Sequence, residues 1–143
     1  MRYHVSRSID APAQTVWDLL TDASTYKDWN PAVISIEGPI ATGNTIKLVS
    51  VVNPKRTFSL KVTEMQQPAR MVWADGMPSG LFKGVRTYRL VEQGASTEFA
   101  MTEEFSGPLA GLITKTIPDM TESFNQFADG LKQAAESAAT TNT

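Results

Sequence analysis

Apolar and polar residues alternate along the start of the chain. Tyr3, Val5, Arg7 and Ile9 fall on one face and Arg2, His4, Ser6 and Ser8 on the other, which predicts a strand from Arg2 to Ile9. Asp10-Ala11-Pro12 then reads as a helix start. A carboxylate suits the positive end of a helix, and proline lacks an N–H that would have no partner there. Val16, Leu19 and Leu20 form an i, i+3, i+4 stripe with Trp17 at its edge. Thr21 to Ser24 breaks this helix. A second short helix is expected from about Thr25 to Trp29, ended by Pro31, which disfavours helical backbone at Asn30.

From Val33 to about Ser106 the pattern is that of strands. The predicted runs are Val33–Glu37, Thr45–Val52, Thr57–Met65, Arg70–Asp75, Phe82–Val91 and Ser96–Phe105. In the third, Phe58, Leu60 and Val62 point inward and Ser59, Lys61 and Thr63 outward. The connections between runs are too short for crossover helices, so the strands pair as antiparallel hairpins. After Gly107-Pro108 the period changes. Leu109, Leu112, Ile113, Ile117, Met120, Phe124, Phe127, Leu131 and Ala135 recur every three or four residues, as in a long amphipathic helix. Pro118 lies inside that pattern and removes a backbone hydrogen bond. The helix is therefore expected either to kink near Thr114–Pro118 or to start afresh at Pro118. Ala, Ser, Thr and Asn dominate the last residues, and a disordered tail is expected over about residues 138–143.

These elements predict an α+β fold in one domain spanning residues 1–143: a curved antiparallel sheet of about seven strands around a long C-terminal helix, with two short helices after the first strand. Widths then matter. Seven strands span roughly 30 Å at about 4.8 Å spacing. One helix is only about 10–12 Å wide. It cannot seal the whole concave face, so the sheet either closes tightly around it or leaves an apolar cavity of the kind that holds ligands.

Composition removes many chemistries. The chain of 143 residues has no cysteine and one histidine, His4, which faces away from Val5 and Ile9. Disulfides, thiolate metal sites and cysteine nucleophiles are excluded, and no metal site or cofactor is predicted. With 13 basic and 15 acidic residues the net charge is −2, which argues against a nucleic-acid partner. Met1–Arg7 has no apolar core of signal-peptide length and no window suits a membrane-spanning helix, so a cytoplasmic location and no integral membrane segment are expected. A monomer or homodimer is expected.

The order of elements resembles the helix-grip fold of the START / Bet v 1-like (SRPBCC) superfamily, and within it the bacterial polyketide cyclase/dehydrase-like branch. The resemblance rests on Ile9-Asp10-Ala11-Pro12 leading into Val16-Trp17, on Asp28-Trp29-Asn30-Pro31, and on Phe124 with Leu131. It covers essentially the whole chain. These motifs shape helix ends and packing, so the resemblance implies a fold and a ligand class without implying catalytic residues. Members bind lipids, sterols, polyketides, quinones and plant hormones, and only some are enzymes.

Two rows on the last two strands carry the chemistry. Phe82, Gly84, Arg86, Tyr88 and Leu90 share one face, and Thr97, Phe99, Met101, Glu103 and Phe105 share another. Both are aromatic-rich and are read as inner faces. A four-residue turn, Glu92–Ala95, would place Tyr88 near Phe99 and Arg86 near Met101, with Arg86 and Glu103 diagonal neighbours. Trp73 and Asp75 would flank them. Arg86 and Glu103 are the candidate catalytic residues if the chain is an enzyme. The alternatives are a polar anchor for a ligand, a buried structural ion pair, or two charges in water.

Arg7 is a further inward candidate. The remaining ligand-contact candidates are Phe58, Trp29 as a rim gate or else an anchor packing the helix pair onto the sheet, and Ile113, Ile117, Met120 and Phe124 on the last helix, a stripe read as mostly core. Gly76–Gly80, with Met77, is a candidate lid. Ser123 and Asn125 are read as a solvated helix face. The leading expectation is binding or transport of a hydrophobic small molecule, such as a lipid, aromatic or polyketide-like compound. The alternatives are a cyclase/dehydratase- or isomerase-type enzyme, and a protein-interaction or co-chaperone module using an apolar patch at Trp17.

Overall fold

A computed structural model describes residues 1–141. Its strands are β1 (Arg2–Ile9), β2 (Val33–Glu37), β3 (Thr45–Ser50), β4 (Phe58–Gln66), β5 (Arg70–Gly76), β6 (Lys83–Gln93) and β7 (Ser96–Ser106). The helices are α1 (Ala13–Leu20), α2 (Tyr26–Trp29), α3 (Ala110–Ile113) and α4 (Thr121–Thr141). The strands form one antiparallel sheet in the order β1-β7-β6-β5-β4-β3-β2. This is the curved sheet gripping a long C-terminal helix that the periodicity predicted. No helix among the described residues is long and apolar enough to cross a membrane, and none of their His, Asp and Glu clusters suits a metal ion.

Side-chain period decides where the core lies. Val5 and Ile9 of β1, Phe99 and Met101 of β7, Tyr88 and Leu90 of β6 and Met71 of β5 are all buried on the concave face. They meet Phe124, Phe127, Ala128, Leu131 and Ala135, the buried stripe of α4. The Phe127 ring lies 5.8 Å from Tyr88 and 5.5 Å from Trp29. In β4 the alternation holds through Val62 and then slips at a bulge before Glu64. The extra residue brings Met65 opposite Met71 and turns Glu64 outward, where it pairs with Arg70.

Polar clamps hold α4 along the edge strand β1. Arg7 donates to Asp129 at 2.7 Å and to Asn125 at 2.9 Å, Lys132 donates to the Ser8 carbonyl, and Glu136 accepts the Asp10 N–H at 2.9 Å. These bonds cover an edge that would otherwise offer unpaired backbone groups. Arg7 is thus a clamp and not a cavity group, and Asn125 is one of its partners.

Four expectations change. Pro12 precedes α1 without a side-chain cap, and Glu92 from the β6–β7 hairpin accepts the Ala13 N–H at 3.2 Å instead. Trp17 is only 3% exposed, so the N-terminal helix offers no apolar patch there. The last helical pattern is broken. After α3 comes a 3₁₀ turn, Thr114–Thr116, and then extended backbone at Ile117. The fresh start falls at Thr121 and not at Pro118, where Asp119 accepts both the Thr121 N–H at 2.9 Å and its hydroxyl at 2.7 Å. Finally, α4 runs to Thr141, so residues 138–141 are helical and the last two positions of the expected tail lie outside the described residues.

Candidate functional site

The core does not fill the concave face. Between β3–β7, α3 and the segment leading into α4 lies a cavity of about 340 Å³. Its depth follows from the sheet register. The row Met71–Tyr88–Met101 is packed shut under α4. One row further along, Trp73, Arg86 and Glu103 stand side by side and face the cavity. The next row, Asp75–Gly84–Phe105, forms its wall. Gly84 leaves the space that a side chain would fill, since a Cβ there would meet the Phe105 ring at 3.3 Å. Trp73–Arg86–Glu103 is therefore the floor.

The mouth is built by three connections. Val52, Asn53 and Arg56 come from the β3–β4 loop, Met77 and Phe82 from the β5–β6 loop, and Ile113, Thr116 and Ile117 from α3 and its sequel. Arg56 stacks over the Phe58 ring at 4.5 Å. Phe82 stacks on Phe105 with centroids 5.8 Å apart. Gly107 holds α3 against the β5–β6 loop. Its φ is 101°, and a Cβ would lie 2.7 Å from the Gly80 and Leu81 carbonyl oxygens. Two residues on, the Leu109 N–H donates to the same Leu81 carbonyl at 2.9 Å.

At the floor, Arg86 Nη2 lies 3.5 Å from Glu103 Oε1, with side chains 18% and 15% exposed. That is longer than the usual 2.7–3.2 Å of an N–H···O bond. The guanidinium is backed by the Phe124 ring at 4.9 Å. It therefore keeps N–H groups for another acceptor. Burial raises the Glu103 carboxyl above its ordinary range, Arg86 offsets part of this, and Asp75 adds to it. Burial works against charge on Arg86, but Glu103, Tyr88 and Tyr26 outweigh it and keep the guanidinium protonated. Burial likewise pushes the Tyr88 phenol up, with Arg86 pulling the other way. Among the described residues the buried Trp73 indole N–H meets no hydrogen-bond acceptor, and the buried Tyr88 hydroxyl has Arg86 as its polar neighbour. Asp75 accepts the Gly76 N–H at 2.7 Å.

The structure brings together Phe58, Trp73, Asp75, Phe82, Arg86, Glu103, Ile113, Ile117 and Met120 from the sequence-derived set. It places five others elsewhere. Tyr88 and Phe99 are fully buried core residues, while Met101 and Phe124 line only a recess of about 40 Å³ behind Arg86. Trp29 is buried against Tyr26 and Phe127 and donates to Thr25 Oγ1 at 3.0 Å, so it anchors α2 and is no gate. The hairpin explains part of this. Gln93 pairs with Ser96, so the turn has two residues and not four. Arg86 consequently sits directly opposite Glu103, and Tyr88 opposite Met101. The two-residue shift kept every inner face inner, which is why Arg86 and Glu103 still share one face in the observed register.

Residues missed by the sequence reading include Leu48, Ser50, Val52, Asn53, Arg56 and Leu60. Leu60 follows from the same alternation that picked Phe58. Leu48, Ser50 and Val52 alternate in the same way along the predicted run Thr45–Val52, whereas Asn53 and Arg56 in the turn carried no periodic signal. Ser123, read as solvated, is buried, lines the cavity and donates to the Met120 carbonyl at 3.0 Å.

A curved seven-stranded antiparallel sheet gripping one long C-terminal helix, with short helices after the first strand, is the helix-grip fold. The chain belongs to the family described as polyketide cyclase / dehydrase and lipid transport, whose profile matches residues 1–136. No curated protein matches it in sequence. Solved structures of the same fold include a START superfamily protein from Mycobacterium smegmatis, at 17% identity and TM-score 0.64 over 99% of both chains. A norcoclaurine synthase mutant from Thalictrum flavum, solved with a transition state analogue, has 14% identity and TM-score 0.73 over 96% of this chain and 95% of its own. A protein from Thermus thermophilus has 20% identity and TM-score 0.72 over 97% of this chain and 99% of its own.

Proposed function

We propose that this chain binds a hydrophobic small molecule, with one polar group on the cavity floor and an apolar body along the walls. The observation that carries the reading is the row Trp73–Arg86–Glu103 at the closed end of a largely apolar cavity. Its volume falls at the lower end of the roughly 300–1,000 Å³ of small-molecule sites. Arg86 and the Trp73 indole offer donors to a carbonyl, carboxylate or phenolate oxygen. Glu103 or Asp75 accepts from a hydroxyl. The lipid transport in the family's description suits this reading.

The test uses 1-anilinonaphthalene-8-sulfonate, which joins apolar rings to one anionic group, followed by the fluorescence of the probe and of the three tryptophans, of which Trp73 lines the cavity. One saturable site is expected. Arg86→Met keeps the bulk of the side chain and removes its donors, so affinity should fall at least about tenfold, the size of a charge-assisted hydrogen bond. Absence of saturable binding, or unchanged affinity in Arg86→Met, overturns the reading. Native mass spectrometry of the purified chain checks for a co-purified organic ligand.

A second reading is favoured by the buried Glu103 carboxyl. Its raised pKa beside a fixed guanidinium suits a general acid or base, with Arg86 polarising a carbonyl, in a cyclase-, dehydratase- or isomerase-type reaction. In that case Glu103→Gln abolishes turnover and leaves probe binding in place.

A further inference from the structure

We infer that the mouth of the cavity docks on an anionic lipid bilayer. Three mouth segments, residues 51–57, 76–82 and 107–118, carry exposed apolar side chains beside cavity-lining ones. Val51 neighbours Val52, Leu81 neighbours Phe82, and Leu112, 68% exposed, neighbours Ile113. Elsewhere, exposed large apolar residues lie singly on strands or at Met1, which is ordinary for a protein surface.

Charge identifies the occupant. The three segments contain Lys55, Arg56 and Lys115 and no carboxylate, leaving 10 basic and 15 acidic residues in the rest of the chain. Of the carboxylates that border them, Asp75 lines the cavity, and Asp119 is exposed and held ionised by its hydrogen bonds from Thr121, so the rim carries three basic groups against this one exposed acidic one. An acidic molecule with a basic, apolar mouth matches a surface that is both negative and greasy. A second copy of this chain fits poorly. A two-fold contact sets a patch against itself, and here Lys55, Arg56 and Lys115 would face their own kind. Docking would open the cavity towards the bilayer, the reservoir of apolar ligands.

The test is co-sedimentation of the full chain with vesicles of phosphatidylcholine alone and of phosphatidylcholine with phosphatidylglycerol. Binding is expected to the anionic vesicles only and to weaken with added salt. Leu112→Asp and the double variant Lys55→Glu/Lys115→Glu should each lower partitioning by more than about tenfold. Both substitute exposed residues, and unchanged thermal melts and unchanged anilinonaphthalene sulfonate binding show that the fold and the cavity are intact. Arg86→Met, in contrast, should bind vesicles normally, so failure of the ligand reading and failure of docking are told apart. Docking is overturned if the parent chain ignores anionic vesicles, if the mouth variants bind as well as the parent, or if the mouth variants abolish a homodimer seen by light scattering instead of vesicle binding.

Discussion

Glu103 shows how one carboxyl can report on its surroundings. In the folded chain burial raises its pKa above the ordinary value near 4.5. The folded state therefore holds the proton more tightly than the unfolded chain. The stability gained in this way is complete below the ordinary value, declines as pH rises, and is gone above the folded-state value. Glu103→Gln removes that decline. From about pH 4 upward, the melting temperature of the variant should gain on the parent as pH rises. A constant difference between the two melts would mean that the carboxyl is not buried. Arg86 and Glu103 were legible from period-two alternation because facing depends only on parity. Their direct pairing was not, since it depends on a two-residue turn at Gly94-Ala95.

Elements in this fold are finished by their neighbours. Gly130 sits inside α4, where glycine by itself costs about 1 kcal/mol against alanine. In an isolated helix Gly130→Ala would stabilise. Here a Cβ would lie 2.0 Å from the Trp29 carbonyl oxygen and 3.3 Å from Pro31. The variant should therefore lose roughly 1–3 kcal/mol in chemical denaturation, the usual range for overpacking. A gain in stability would contradict the close approach of α2 and α4. Glu92→Ala, which removes the acceptor for the first N–H of α1, should cost about 1 kcal/mol. Strand boundaries were readable to within a residue or two, because alternation is local. The helix interruption was readable as an alternative from Pro118, but its restart depended on Asp119 reaching Thr121.

At the scale of the whole molecule, the width of a seven-stranded sheet against one helix is what leaves room for a ligand. A ligand that occupies the cavity only in the folded chain should raise the stability by about 2.7 kcal/mol at about 100 times its Kd. Thermal melts in rising concentrations of the anionic probe check this, and a melting temperature indifferent to a bound probe would place its site outside the fold. Periodicity and composition determined the strands, the grip helix, the rows of residues that Arg86 and Glu103 share a face with, and the absence of thiol chemistry, because each is written in local spacing or in a count. Only the tertiary structure decided that Tyr88, Phe99, Met101 and Phe124 close the core while Trp73, Arg86 and Glu103 end the cavity. It alone gathered the basic, apolar mouth from three separate loops. All inner-facing residues share one pattern in sequence. Which of them meets α4 and which meets open space is set by where that helix starts and how far across the sheet it lies.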